Sequence, residues 1–113
     1  MVNTIKTRVR IFRPGTPPED REVEFDDDYM GLRTVVMALL DGAHLEHVAV
    51  EYEGQRRDMF VDEIGQMKNL PVNGTATAIY RSWWLRTHPT DTAENLPDVV
   101  GPAILFLDRI VWE

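Results

Sequence analysis

The stretch His47-Val48-Ala49-Val50-Glu51-Tyr52-Glu53-Gly54-Gln55-Arg56-Arg57-Asp58-Met59-Phe60-Val61-Asp62-Glu63 decides the fold. Val48, Val50 and Tyr52 alternate with Ala49, Glu51 and Glu53, a period of two that turns one face to a core and the other to water. Gly54 stands where the chain must reverse, because a residue without Cβ enters positive φ at little cost. Beyond the polar stretch Gln55 to Asp58, Met59-Phe60-Val61 is apolar on consecutive positions, as in a strand covered on both faces or lying near the middle of a sheet. The segment predicts a β-hairpin around which the other elements pack.

Upstream, Thr7 to Arg13 alternates Val9 and Ile11 with Arg8 and Arg10, which predicts a strand with a basic outer face. Pro14-Gly15-Thr16-Pro17-Pro18 forbids regular pairing, since proline lacks an N–H and fixes φ. Arg21 to Phe25 resumes the alternation with Val23 and Phe25 inward. Asp26-Asp27-Asp28 then suits a helix start, where a carboxylate caps free N–H groups and opposes the positive end of the dipole. From Tyr29 to Leu40, the apolar residues Leu32, Val35, Val36, Leu39 and Leu40 fall on one helical stripe, with Gly42 as the expected stop.

Downstream of the hairpin, Ile64 to Val72 is a turn and extended connector, and Asn73 caps a second helix. Its inward stripe is Ala76, Ile79, Tyr80, Trp83 and Thr87, while Trp84 and Leu85 fall outside it. His88-Pro89 closes the helix, because the residue before proline avoids the helical region. Thr90 to Asp98 is a polar loop, and Ala103 to Leu107 is an apolar run suited to a buried strand. A turn at Asp108-Arg109 and a short run Ile110-Val111-Trp112 follow. The expected architecture is a single α+β domain over residues 1–113 in the order ββαββαβ. Its sheet is mixed, mainly antiparallel, of about five strands, with two helices packed on one face.

Composition narrows the function. A chain of 113 residues fits one domain that buries roughly two-thirds of its unfolded surface. Without cysteine there is no disulfide, thiolate metal site or cysteine nucleophile. Nineteen Asp and Glu against twelve Lys and Arg give a net charge of −7, which opposes non-specific attraction to phosphates. No apolar run approaches the ~20 residues of a membrane span, and the N-terminus lacks the uninterrupted apolar region of a secretory signal. A cytoplasmic location is the expectation.

Three elements carry a family resemblance: Val61-Asp62-Glu63-Ile64-Gly65, then Asn69-Leu70-Pro71-Val72-Asn73-Gly74-Thr75-Ala76-Thr77, then Val100-Gly101-Pro102-Ala103-Ile104-Leu105. In order and spacing, over roughly residues 8 to 112, they resemble the family catalogued as domain of unknown function 3846, common in phages, plasmids and their bacterial hosts. The resemblance implies a small α+β domain associated with mobile genetic elements, and it implies no established activity.

Candidate chemistry is sparse. His44, Glu46 and His47, with Asp58, Asp62 and Glu63 from the facing arm, suggest a metal site, but on a strand His44 and His47 point to opposite faces. Glu51 and Asp58 could form an acid/base pair, yet Arg56 and Arg57 make ion pairs the simpler reading. The glycines are scattered singly, so there is no phosphate loop, and Ser82, the lone serine, lies mid-helix without the turn that exposes a nucleophile. No cofactor is implied.

Trp84, flanked by Arg81 and Arg86, is left beside the inward stripe, a position that suits a contact between two copies of the chain or, with Arg8, Arg10 and Arg13, a nucleic-acid platform. The reading is a small acidic, non-catalytic accessory or protein-interaction domain of mobile-element origin, self-associating or bound to another protein. A nucleic-acid-binding module and a small metal-dependent enzyme around His44 and His47 are the alternatives.

Overall fold

Tyr52 and Gln55 face each other across a two-residue reversal in which Glu53 (φ 53°) and Gly54 (φ 76°) both take positive φ. This is the type I′ geometry whose twist matches the strands it joins. The computed structural model describes residues 3–42 and 44–108. Arg109 and the run Ile110-Val111-Trp112 lie outside them.

The elements in chain order are β1 (Thr4–Phe12), β2 (Glu19–Asp26), α1 (Tyr29–Leu40), β3 (Leu45–Tyr52), β4 (Gln55–Asp62), α2 (Gly74–Thr87), a single 3₁₀ turn (Ala93–Asn95) and β5 (Ala103–Phe106). The strands form one sheet in the order β2-β1-β5-β4-β3. Every strand pairing among the described residues is antiparallel, where a mixed sheet was expected.

The strand latest in the chain occupies the centre. Ile104 pairs with Ile11 on one side and Phe60 on the other, and Leu105 with Arg10 and Met59. All four residues of β5 are buried, which accounts for a run with no polar alternation. The same holds for Met59, Phe60 and Val61 on the neighbouring strand.

A strand apolar on both sides has two faces to cover, and one helix covers each. Val9, Ile11, Val23, Phe25, Phe60, Ile104 and Phe106 pack with Leu32, Val36 and Leu40 of α1. The opposite-facing Phe12, Val50, Met59, Val61, Ala103 and Leu105 pack with Ala76, Ile79, Tyr80 and Trp83 of α2. The expectation of both helices on one face is corrected here. That arrangement would leave Met59, Val61, Ala103 and Leu105 in water.

Local signals set the helix ends. The Asp28 carboxylate accepts the Gly31 amide at 2.6 Å, so the third aspartate is the cap. Gly31 itself must lack a side chain, because a Cβ there would collide with the Asp26 carbonyl. At the far end Asp41 (φ 54°), not Gly42, takes the left-handed conformation, and the Gly42 amide donates to the Met37 carbonyl at 3.2 Å. The reason is tertiary: a Cβ on Gly42 would stand 2.9 Å from the Asp62 carboxylate, so the smallest residue is needed for close approach.

Asn73, 1 % exposed, caps α2 by accepting the Ala76 amide at 3.1 Å. Its Nδ2 also donates to the carbonyls of Phe12 at 2.8 Å and Gly101 at 2.9 Å, tying the helix to the end of β1 and the entrance of β5.

Candidate functional site

The arginines of the first strand do not form an open cationic surface. Arg10 holds Asp20 through two hydrogen bonds of 2.6 and 3.0 Å, donates to the Tyr52 hydroxyl at 3.0 Å and lies 3.6 Å from Glu53. The Asp20 and Tyr52 bonds hold the guanidinium well above its ordinary pKa, and the Arg10 bonds hold the Asp20 carboxyl below the usual range. Arg13 pairs with Glu19 at 3.0 Å, and Arg21 pairs with the same carboxylate. Arg8 stands exposed opposite Glu22, and its amide donates to Asp108 at 3.4 Å.

Trp84 finds its cover within the chain. Its ring stacks on His88 with centroids 3.8 Å apart and planes 9° apart, and Nε1 donates to the Asp91 carboxylate at 2.6 Å. Arg81 donates to the Leu96 carbonyl at 3.0 Å and to Asp98 at 2.7 Å, fastening the loop after α2 back onto the helix. Arg86 pairs with Glu51 of β3, which takes Glu51 away from Asp58. Asp58 instead sits 2.7 Å from His47 Nε2.

The pleat divides the metal-ligand candidates. His47 pairs across the sheet with Phe60 on the α1 face, whereas Glu46 pairs with Val61 on the α2 face. Asp62 is engaged by Lys68 at 2.6 Å and accepts the Ile64 amide at 3.0 Å, and His44 precedes β3, where its carbonyl accepts the Glu63 amide. Among the described residues no group of three or more His, Asp and Glu is placed to hold a metal ion.

A concave site lies elsewhere, where α2 and the segment 97–100 meet the ends of β3 and β4. It is a cleft of about 180 Å³. Val48, Val61, Val99 and Val100 form apolar walls; Glu46, Glu63 and Asp98 stand at the rim, with Tyr80 reaching in from the helix. Burial, and after it the charge of Glu46, hold the Tyr80 phenol above its ordinary pKa, so it stays a neutral hydroxyl. Gln66 donates to the Asp98 carbonyl at 3.1 Å and closes one side. Thr77 anchors the segment by donating to the Val99 carbonyl at 3.3 Å and accepting its amide at 2.9 Å.

Glu46 and Glu63 were read from the sequence as members of a candidate metal site with His44 and His47, and Tyr80 as core. One signal was available: Glu46 has the same parity as Val48 and Val50, an acid on the apolar side of a strand. Nothing in the local pattern brings Asp98 or Val99 to the same place.

Among the described residues no helix is long and apolar enough to cross a membrane. The chain matches no protein-family model, no curated protein and no solved structure.

Proposed function

We propose that this chain is a non-catalytic protein-interaction domain, an accessory protein of phage or plasmid ancestry, that engages its partner at the cleft between α2 and the β3–β4 hairpin. The observation that carries the reading is the cleft itself: apolar walls with two carboxylates at the mouth, Glu46 and Glu63, that take part in no ion pair among the described residues. Mobile-element ancestry is supported by the turn and capping elements around Gly65, Pro71, Asn73 and Gly101. Asn73 and Gly101 meet in one hydrogen bond, so two of the three elements form a single structural joint.

The test is site-directed photo-crosslinking in bacterial cells that express the chain. A photoreactive residue at Gln66, on the rim, should yield a discrete polypeptide adduct; the same residue at Glu22, on the far edge strand, should not. Adducts of equal yield at both positions, or none at Gln66, would defeat the reading. An adduct of twice the chain's own mass would make a second copy the partner.

A further inference from the structure

We propose that the cleft receives the cationic tip of one lysine or arginine side chain, presented by a basic, extended segment of a partner polypeptide. The inference rests on the docking reading above and specifies the chemistry of the occupant.

Size comes first. At about 180 Å³ the cleft falls below the ~300–1,000 Å³ of typical small-molecule sites, which leaves room for one long side chain and little more. The walls are valine side chains, along which a lysine or arginine stem packs while its charged tip meets the polar groups of the lining.

Charge selects the occupant. Of the carboxylates around the cleft, Asp62 is matched by Lys68 at 2.6 Å and Asp98 by Arg81 at 2.7 Å. Glu46 and Glu63 take part in no ion pair among the described residues. Glu46 leaves β3 on the α2 face, paired with Val61, and Glu63 stands in the turn directly after β4; both line the cleft. An acidic group entering between them meets like charge, whereas an ammonium or guanidinium finds two carboxylates and the neutral Tyr80 hydroxyl.

A second copy is a poor source of that cation. A net charge of −7 on each chain opposes the approach of one copy to another.

The experiment is titration of the full ¹⁵N-labelled chain with three probes: a peptide with one lysine among serines and threonines, the same peptide with norleucine for lysine, and spermidine. The lysine peptide should shift the amides of Glu46, Val48, Val61, Tyr80 and Val99 to saturation, and the norleucine peptide should not. In the doubly substituted Glu46→Gln, Glu63→Gln chain, with circular dichroism unchanged, the lysine peptide should bind about five- to tenfold more weakly. Equal binding of the norleucine peptide would overturn the inference while leaving the cleft a docking site. Binding of spermidine alone would overturn it in favour of a free polyamine. Silence of the cleft amides with all three probes would overturn it outright, and the crosslinking result would then decide the docking reading separately.

Discussion

One sheet presents two faces in this protein, and the helices that cover them are held by different forces. On the α1 side, Leu32, Val36 and Leu40 are fully buried against Val9, Ile11, Phe60, Ile104 and Phe106, and the Phe106 ring meets Phe25 and Phe60 edge to face, with centroids 6.3 and 5.7 Å away. On the α2 side the helix buries only Ala76 and Thr77 completely; Ile79, Tyr80 and Trp83 are partly buried. Directional hydrogen bonds supply what apolar area does not: Asn73 to two carbonyls, Thr77 to Val99, Arg81 to Leu96 and Asp98. Buried apolar side chains hold α1 to one face. Point attachments on the other leave a cleft beside the helix, the place proposed above for docking.

Substitutions can break this contrast or sharpen it. The largest effect is expected at Phe106→Ala, which empties the middle of the α1 face and should cost about 3–5 kcal/mol in denaturant unfolding. A loss no greater than at an α2-face valine would mean that the two faces are equally packed. Next comes Asn73→Ala. It removes a cap and leaves the Phe12 and Gly101 carbonyls without their donor, so about 2–4 kcal/mol should be lost. Were the loss only the ~1 kcal/mol of an ordinary exposed cap, hydrogen bonds would not be what holds α2.

Val50→Ala truncates a fully buried residue on the α2 face and should cost about 1–3 kcal/mol; an unchanged midpoint would show that this face bears no packing load. Trp84→Glu should keep the far-ultraviolet spectrum and lose about 1 kcal/mol, because the indole is partly exposed near the helix end, against Tyr80, Trp83, His88 and Asp91. Sedimentation equilibrium adds a second readout there. A dimeric parent turned monomeric by this change would make Trp84 an intermolecular contact in addition to its stack on His88.

The smallest effect belongs to Asp20→Asn, on the part of the sheet that α2 does not cover. Arg10 depresses the Asp20 pKa, so its contribution is present above the unfolded value and is lost as the pH falls through the lower folded one. The difference between parent and variant should therefore be measurable at pH 7 and vanish in strong acid, below the folded value. A difference that persists there would assign the effect to geometry and not to the ion pair.

Much of the fold was legible because its signals are local. Alternation in Val9 to Ile11 and Val48 to Tyr52 located strands, Asp28 and Asn73 announced caps, the stripe from Leu32 to Leu40 bounded α1, and Gly54 marked the reversal. Strand ends were less legible: β1 begins at Thr4 and β4 at Gln55, because hydrogen bonding to a neighbour extends a strand through polar residues that periodicity treats as loop. The site was hardly legible. Arg10 and Arg81 drew attention as unpaired types, and they find partners in Asp20 and Asp98, residues that no spacing rule connects to them; Trp84 stacks on His88, four residues on along the helix.

By itself, then, the sequence determined the helices and main strands, their order and most of their inward positions, though Thr87, read as inward, is exposed and Thr77 is buried. Only the tertiary structure decided that β5 enters the centre of the sheet, that the helices take opposite faces, and that Glu46, Glu63, Tyr80 and Asp98 surround one cleft. The physical reason is that an amphipathic stripe records how much apolar surface must be covered and is silent about which surface covers it. That choice is made by burial summed over the whole chain, where residues far apart in sequence compete for the same face.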